Sequence, residues 1–238
     1  MNKNVLEAEH FLKTFFAKMS WCNNSNLNLF IAPSFPLISN LKNIISNESK
    51  SYNLKLCAQN CHHQDDGAFT GEVSVKMLKS IDVSSVIIGH SERRKYFNES
   101  NDILLQKIQS CFKNNLLPIF CFGETMNERK NGNFLEVIER QISIIKPYIK
   151  DKQEIVFAYE PVWAIGTGVT PLLEEIEEVH LFVKKLFPNI KTLYGGSLNA
   201  KNAKDILAVP HVSGALIGGA SLNPVEFASI ISSAHDIC

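Results

Sequence analysis

The stretch "EIVFAYEPVWAIGTG", Glu154–Gly168, decides the fold prediction. Its apolar run, Ile155–Tyr159, ends in a carboxylate, Glu160, and a proline, a tryptophan and a Gly-Thr-Gly sequence follow. A continuous apolar run of this length is typical of a strand that is buried on both faces of a parallel sheet. The stretch therefore predicts a buried strand with an acid at its carboxyl end, beside a stiff hinge and a flexible loop.

The composition indicates a globular chain and excludes several classes of partner. The 238 residues are 45% hydrophobic and 20% charged, and the formal net charge is zero. No strong electrostatic field exists to attract a nucleic acid or a membrane surface, and no apolar run approaches the roughly 20 residues that span a bilayer. The amino-terminal residues do not resemble a signal peptide. We expect a cytoplasmic protein with no nucleic-acid or membrane partner.

Six cysteines lie far apart in the chain, at Cys22, Cys57, Cys61, Cys111, Cys121 and Cys238. No Cys-x-x-Cys spacing occurs, so we expect free thiols in a reducing cytosol. The polar segment "CHHQDDG", Cys61–Gly67, could suggest a metal site, but no second cluster completes a coordination shell. The sequence therefore predicts neither a metal nor a cofactor.

Short apolar runs alternate with longer segments of helical periodicity. The predicted strands are Leu27–Ala32, Leu54–Gln59, Val86–Gly89, Leu117–Phe122, Ile155–Tyr159, Lys191–Tyr194 and Ala215–Ile217. The predicted helices include one from Asn4 to Lys18 and one with Thr170 as its N-cap and Pro171 at its first position. Repeated β–α units without a Pro-, Gly- or Ser-rich linker indicate one domain over residues 1–238. It is either a doubly wound sheet or a closed β/α barrel.

Polar candidates follow the predicted strands, where both architectures place their sites. Glu160 can be a strand-end carboxylate that is solvated or paired with an arginine. The hinge and the glycines beside it, Gly166 and Gly168, instead suit a closing lid that would raise the basicity of the acid. His90 ends "VIIGH" before a predicted helix start. It is either a structural histidine or an imidazole that the helix N-terminus keeps neutral.

Two glycine-rich segments, "YGGSLN" and "LIGGASL", lie at the ends of the last two predicted strands. They can be tight turns, or their bare amides can approach an anion closely. Two such loops after the last two strands match the common phosphate site of β/α barrels. A neutral protein can bind a small phosphate in this way without a basic patch.

Seven segments together resemble the triosephosphate isomerase family along the whole chain. They are "CAQN", "GAFTGE", "VIIGHSERR", "CFGET", "AYEPVWAIGTG", "YGGS" and "IGGASL". The resemblance implies a TIM (β/α)8 barrel, a homodimer and a role in glycolysis and gluconeogenesis. The implied activity is the interconversion of dihydroxyacetone phosphate and glyceraldehyde 3-phosphate through an enediolate, an intramolecular aldose–ketose isomerisation without a cofactor.

The resemblance also implies a role for each candidate residue. Glu160 would move a proton between two carbons, and neutral His90 would polarise the carbonyl and exchange protons with the oxygens. The loop Cys61–Glu72, with Thr70 near its tip, would insert beside the active site of a partner subunit. The phosphate would be held by Gly166, Ser197, Gly218 and Gly219. The lid and the apolar clamp that dry the site would comprise Pro161, Val162, Trp163, Ile165 and Leu216.

The sequence departs from the family at its beginning and at Ser213, where the family usually has Asp. The family starts with a strand ending in Asn-x-Lys, whose lysine neutralises the developing charge of the substrate. The segment "MNKNVLEAEHFL" aligns just after this motif, so only seven strands are predicted, and Lys3 could replace the lysine only in an improvised geometry. Loss of the strand would expose two sheet edges and remove several buried side chains, at roughly 1.5–3 kcal/mol each. We therefore expect a start codon upstream of Met1, with roughly a dozen further residues that restore the usual barrel length.

Two other functions stay open. A phosphate-binding homologue without the family lysine would bind ligand without turnover. A different phosphate-handling barrel, such as a sugar-phosphate epimerase, would share the glycine loops, but the lid sequence argues against it. Retention of Glu160, His90 and the lid favours the isomerase, because binding alone needs none of them.

Overall fold

Strands and helices alternate throughout the computed structural model, which describes residues 1–19, 27–48, 53–149 and 153–237. The strands in these ranges are β1 (Leu29–Ile31), β2 (Leu54–Ala58), β3 (Ser85–Ile88), β4 (Leu117–Phe122), β5 (Val156–Tyr159), β6 (Lys191–Tyr194) and β7 (Val212–Ala215). The helices are α1 (Val5–Lys18), α2 (Ile38–Glu48), α3 (Val75–Ser80), α4 (Ser91–Phe97), α5 (Asn101–Lys113), α6 (Met126–Lys130), α7 (Phe134–Ile142), α8 (Leu173–Leu186), α9 (Ala203–Leu207) and α10 (Pro224–His235). Short 3-10 helices include Phe35–Leu37, Ser143–Tyr148, Val162–Ala164 and Gly219–Leu222.

The sheet follows the order of the chain. Each strand from β1 to β7 pairs in parallel with the next one in sequence. Continuous order is the arrangement of a β/α barrel, whereas a doubly wound sheet reverses its strand order at a switch point. The predicted barrel class is therefore confirmed. In the described part of the chain, β1 and β7 are the two edges of the sheet. The residues of these edge strands are partly exposed, whereas every residue of β3 is buried.

Two apolar layers hold the barrel together. The inner layer contains buried side chains from β2 to β5, namely Cys57, Ile87, Ile119, Cys121 and Ala158. Phe30, from β1, and Leu216, which follows β7, pack against this inner layer. The outer layer lies between the sheet and the helices, where alternate residues of the strands meet the apolar faces of the helices. Successive side chains of a strand point to opposite faces of the sheet, so each strand contributes residues to both layers.

Helix α1 begins and packs as its sequence predicts. The Asn4 side chain accepts a hydrogen bond from the Glu7 N–H, and the Glu7 carboxylate accepts one from the Asn4 N–H, at 3.0 and 2.8 Å. This reciprocal pair satisfies two of the backbone donors that a helix start leaves free. The ring of Phe15 stacks on that of Phe227 in α10, with 5.3 Å between centroids. The contact places α1 beside α10 on the outside of the barrel.

The last strand lies earlier in the chain than predicted. The sequence predicts Ala215–Ile217, but β7 spans Val212–Ala215. Val212 pairs with Thr192, and the register then shifts along β6. Ser213 is exposed, and its hydroxyl accepts a hydrogen bond from the Thr192 N–H at 3.4 Å. A polar residue and a glycine inside the strand concealed it, because prediction from apolar runs does not detect a partly exposed edge strand.

The helix start predicted after strand β5 is also wrong. Thr170 was predicted as the N-cap and Pro171 as the first helical residue, but α8 begins at Leu173. The Leu172 N–H donates to the Glu175 carboxylate at 2.8 Å, so a side chain inside the first turn caps this helix. The Thr170 hydroxyl instead accepts a hydrogen bond from the Asn202 side chain at 3.4 Å.

The described cysteines are buried, free thiols: Cys57, Cys61, Cys111 and Cys121. Cys22 and Cys238 lie outside the described residues. Burial raises the pKa of Cys57 to about 12. A hydrogen bond between the thiols of Cys61 and Cys111, together with burial, raises the pKa of Cys111 as well. In the described part of the chain, no helix is long and apolar enough to cross a membrane.

Candidate active site

The structure brings His90 and Glu160 together at the carboxyl ends of the strands. His90 follows β3 and Glu160 follows β5, and β4 lies between these two strands in the sheet. Nε2 of His90 lies 3.0 Å from Oε1 of Glu160. The other carboxylate oxygen accepts a hydrogen bond from the Ser91 N–H at 2.8 Å. Glu160 is only 2% exposed, whereas the side chain of His90 is 27% exposed, so a buried carboxylate meets a partly accessible imidazole.

The helix that follows β3 determines which nitrogen of His90 carries a proton. Nδ1 accepts a hydrogen bond from the Glu92 N–H at 3.3 Å, in the first turn of α4. In the neutral ring an acceptor nitrogen carries no proton, so the proton is on Nε2, which faces Glu160. The tautomer therefore points a donor toward the candidate site.

The charge state of His90 depends on Glu160. Burial disfavours the imidazolium, but the hydrogen bond to Glu160, the charge of Glu160 and the charge of Glu92 outweigh it and raise the pKa of His90 above its usual value. The sequence led us to expect a neutral imidazole. The raised pKa instead favours the imidazolium form of His90 as long as the Glu160 carboxylate lies beside the ring.

Two glycines let the backbone pass close to Glu160. A side-chain carbon on Gly123 would lie 1.7 Å from the Glu160 carbonyl oxygen, an impossible overlap. A carbon on Gly195 would lie 3.1 Å from Cγ of Glu160, a tighter contact than most. The sequence signal at both positions is a glycine just beyond an apolar strand, which allows close approach of another backbone.

The buried carboxylate of Glu124 fixes the start of the candidate lid. Its Oε1 accepts hydrogen bonds from Tyr159 Oη at 3.1 Å, Trp163 Nε1 at 2.9 Å and Arg129 Nε at 3.0 Å. Burial raises the pKa of Glu124 despite these donors. The Val162 N–H also donates to the Glu124 carbonyl at 3.0 Å. Of the predicted hinge residues, Val162 and Trp163 are therefore attached to the loop after β4, and Pro161 is buried beside them.

The remaining lid and clamp residues lie around the same end of the barrel. Gly166 is exposed with a φ of 66°, a left-handed conformation that favours glycine. Ile165 is partly buried beside it. Leu216 is also partly buried, packs against the inner layer and donates its N–H to the Tyr194 carbonyl at 2.8 Å. The hydroxyl of Ser197 donates to the Ala164 carbonyl, which connects the loop after β6 to the base of the lid.

The predicted phosphate glycines face open space. A carbon added at Gly166, Gly218 or Gly219 meets no atom within 4 Å, so packing does not require glycine there. Gly219 begins the 3-10 helix Gly219–Leu222, and Ser221 donates both its N–H and its hydroxyl to the Gly218 carbonyl. Absence of side chains in open space leaves room for a ligand to approach these amides.

Lys3 contacts the end of the 3-10 helix Gly219–Leu222 and the ring of Phe11. Its Nζ donates to the Leu222 carbonyl at 2.9 Å and lies 4.9 Å from the centre of the Phe11 ring. It precedes the Asn4 cap and has a φ of 66°, so it is not part of helix α1.

Several contributing residues were not predicted from the sequence. Glu124 follows strand β4 in "CFGET", so the strand-end rule that identified Glu160 could have identified it. The Ser91 amide gave no comparable signal, since its contact with Glu160 joins residues that are distant in sequence.

Several side chains of the loop Cys61–Glu72 contact other parts of the chain or one another. The ring of His62 is tilted against those of His63 and Phe69, at 4.3 and 4.4 Å between centroids. Asp65 forms an ion pair with Lys113 at 2.6 Å.

The strand order and the strand-end pair of carboxylate and imidazole define a β/α-barrel enzyme that is equipped for general acid–base chemistry. Residues 1–234 match the family model described as triosephosphate isomerase. The chain belongs to the triosephosphate isomerase family.

Individual relatives agree along nearly their whole length. The triosephosphate isomerase of Thermodesulfovibrio yellowstonii is 44% identical over 97% of this chain and 95% of its own. That of Prosthecochloris aestuarii is 40% identical over 99% and 95%. Among solved structures, the triosephosphate isomerase of Bartonella henselae superposes with a TM-score of 0.83 at 35% identity, over 98% of this chain and 94% of that one. The predicted family is confirmed.

Proposed function

We propose that this chain catalyses the interconversion of dihydroxyacetone phosphate and glyceraldehyde 3-phosphate, as an intramolecular aldose–ketose isomerase of glycolysis and gluconeogenesis. The observation that carries this proposal is the 3.0 Å contact between Nε2 of His90 and Oε1 of Glu160 in a member of this family. The reaction moves a proton between neighbouring carbons and another between their oxygens. It therefore needs a base for carbon and a proton donor for oxygen, and these two side chains can supply both.

Glu160 can act as the base only after it moves. Both of its oxygens accept hydrogen bonds, and the residue is 2% exposed. We infer that substrate binding and lid closure draw the carboxylate away from Ser91 and His90, toward the substrate carbon. The dry surroundings would then increase its basicity, since burial disfavours the charged form of a carboxylate.

The same movement would prepare His90. Glu160 provides the largest influences that raise the pKa of His90, so its departure removes them. Burial and the hydrogen bond that Nδ1 accepts from the Glu92 N–H then favour the neutral ring. Its Nε2–H is left free to donate to the substrate carbonyl. A neutral imidazole in the catalytic state is thus compatible with the raised pKa in the resting state.

The phosphate of the substrate is proposed to bind to Gly166, Ser197, Gly218 and Gly219. The open space beside the three glycines and the position of Ser197 at the base of the lid support this assignment. Ile165 and Leu216 would form the apolar clamp, and Pro161, Val162 and Trp163 would form the hinge. Closure would exclude water and so protect the enediolate from loss of phosphate.

A coupled isomerase assay on the purified chain tests the assignment of Glu160. Glu160→Asp withdraws the carboxylate by one methylene, so we expect kcat to fall about 100-fold or more, with KM within a few-fold of the parent value. Glu160→Gln, which removes the basic carboxylate, should have a lower kcat still. Glu174→Gln, on the exposed face of α8, removes the same charge away from the site and should retain the parent rate. A parental kcat in Glu160→Asp would contradict the role of Glu160.

The same assay addresses the alternative of a silent phosphate-binding homologue. That alternative predicts binding of a phosphate-containing analogue without turnover by the parent chain. Family membership and the assembled pair of His90 and Glu160 favour the isomerase over it.

We propose a homodimer in which the loop Cys61–Glu72 inserts beside the active site of a partner subunit. Large apolar side chains are exposed on this loop and on the neighbouring helices. They are Phe69, Met77, Tyr96 and Phe97, which are 44%, 55%, 66% and 63% exposed. Exposed apolar patches of this kind often mark protein interfaces.

A cytoplasmic location is proposed as well, and the buried, free thiols in the described residues are compatible with a reducing compartment.

A further inference from the structure

The side chain of Arg94 lies directly behind the candidate catalytic histidine, where three oxygens hold it. Its Nε donates to the Gly89 carbonyl at 2.9 Å, and one Nη donates to the Asn101 side chain at 2.9 Å. The other Nη donates to the Cys121 carbonyl at 3.1 Å. Gly89 immediately precedes His90, and Cys121 belongs to β4. One guanidinium therefore connects the ends of β3 and β4 at the point where His90 leaves the sheet.

The backbone at this junction has little freedom. Gly89 has a φ of 76°, in the left-handed region that favours glycine. A side-chain carbon there would lie 3.2 Å from the Cys121 carbonyl oxygen and 3.3 Å from an Nη of Arg94. The direction in which the chain presents His90 is thus set by a glycine conformation and by the guanidinium packed against it.

The positive charge of Arg94 is not neutralised by a contacting carboxylate. The adjacent Arg93 pairs with Glu99 at 2.7 Å, whereas no described carboxylate lies within 4 Å of the Arg94 guanidinium. Burial lowers the pKa of Arg94 from its usual value, and the negative charges of Glu160 and Glu99 oppose that effect. A guanidinium remains charged even so, so the field of Glu160 acts on an otherwise unpaired cation.

We propose that Arg94 is a positioning residue for the isomerisation, which orients His90 through the Gly89 carbonyl and places a permanent positive charge close to Glu160. The inference rests on the proposed function. The titratable groups that face Glu160 are His90 from the end of β3, Arg94 from α4 and Cys121 from β4, and Glu92 faces His90. Burial raises the pKa of Cys121 well above its usual value, so that thiol stays neutral. Arg94 is then the permanent cation among these groups.

The test compares pH profiles of kcat/KM between pH 5.5 and 9 for the parent, Arg94→Gln, Arg94→Lys and a control, Lys95→Gln. Lys95 is the next residue of α4, and its side chain is exposed. In Arg94→Gln we expect the acid limb to move to higher pH by roughly 0.5–1 unit, since the site loses a nearby positive charge. Its kcat at pH 8 should fall about 10- to 100-fold, with KM within about 3-fold, because a small displacement of a catalytic group is costly.

The lysine variant separates the two contributions. Arg94→Lys keeps the charge but cannot reach three oxygens, so its acid limb should stay near that of the parent while kcat falls. Lys95→Gln should change neither quantity. Circular dichroism melting curves establish that each variant is folded at the assay temperature.

Specific results would overturn the inference. An unmoved acid limb in folded Arg94→Gln contradicts the electrostatic part, and a parental kcat in both Arg94 variants contradicts the positioning part. If Arg94→Gln does not fold, a parental kcat in Arg94→Lys is sufficient to reject positioning. A parent chain without any turnover would instead reject the proposed function.

Discussion

At the scale of single residues, the site depends on close approaches as much as on reactive groups. The backbone of Gly123 runs against that of Glu160, whose N–H donates to the Phe122 carbonyl at 2.7 Å. Because Gly123 and Glu160 directly follow the last paired residues of β4 and β5, Phe122 and Tyr159, neither can move aside without disturbing the pairing. The position of the candidate base therefore requires a residue without a side chain at 123.

This close approach predicts a large effect of one added methyl group. We expect Gly123→Ala to lower the free energy of unfolding by about 3 kcal/mol and to reduce kcat, because the overlap forces Glu160 to shift. Urea denaturation and the isomerase assay measure the two effects. Gly132→Ala is the control, since no atom lies within 4 Å of the added carbon and only its left-handed φ of 75° costs about 1–2 kcal/mol. Equal losses in both variants would contradict the overlap.

The candidate reactive residues have a clearer signal in the sequence than the residues that support them. His90 and Glu160 stand out because a polar residue directly follows an apolar run. Glu124 also follows a strand, but its contact with Trp163 and that of Arg94 with Cys121 join residues 39 and 27 positions apart, and no local pattern predicts such pairings. The assignments of Gly166, Ser197, Gly218 and Gly219 came from the resemblance, and they stay proposals.

At the scale of elements, helix α8 carries a histidine that makes its packing sensitive to acid. His180 is 1% exposed, its ring meets that of Tyr159 edge-on, and Nδ1 lies 3.3 Å from the His211 carbonyl. Burial lowers the pKa of His180 from 6.5 to about 4. The neutral ring, with Nδ1 as the donor, therefore joins α8 to the start of β7.

The depressed pKa predicts a loss of stability in acid. Between pH 6.5 and about 4 the unfolded chain binds a proton at His180 that the folded chain does not, so stability falls as the pH falls through this window. The contribution amounts to about 3 kcal/mol when fully developed. In His180→Asn, which keeps a short donor, the difference between unfolding free energies at pH 7.5 and 4.5 should shrink by about this amount. His10→Asn, on the exposed face of α1, should leave it unchanged. An unchanged pH dependence in His180→Asn would count against this account.

Elements were predicted well where one kind of signal dominated. The predicted strands Leu54–Gln59, Leu117–Phe122 and Lys191–Tyr194 match β2, β4 and β6, and the predicted helix from Asn4 to Lys18 matches α1. Errors occurred where signals were weak or misleading. The partly exposed strand β7 contains Ser213 and Gly214, and the Thr-Pro pair before α8 resembles a helix start although Glu175 caps the helix instead.

At the scale of the whole molecule, the order of the elements contained most of the information about the fold. Alternation of strands and helices left two architectures open, and the continuous strand order of the structure is that of the barrel. Which helix packs against which could not be read locally. The contact of α1 with α10 joins segments that are about 200 positions apart, and only closure of the barrel brings them together.

The proposed dimer predicts that a charge at the tip of the loop Cys61–Glu72 separates the subunits. Thr70 is exposed, so Thr70→Arg should leave the fold intact while burying an unpaired charge in the interface, which is unfavourable. We expect sedimentation velocity to show a shift from dimer to monomer and the isomerase assay to show reduced kcat. Asn131→Arg adds the same charge after α6, away from this loop, and should remain dimeric. A fully dimeric Thr70→Arg variant, or a monomeric parent, would rule out this arrangement.

The burial of the described thiols has a practical consequence for handling the protein. Alkylating reagents attack the thiolate, and burial suppresses that form at Cys57 and Cys121. A reagent such as iodoacetamide must therefore wait until the structure opens. The rate of alkylation at each cysteine therefore measures how often the surrounding structure opens. Peptide mapping can determine this rate separately for Cys57 and Cys121 in the inner layer and for the contact between Cys61 and Cys111 outside it.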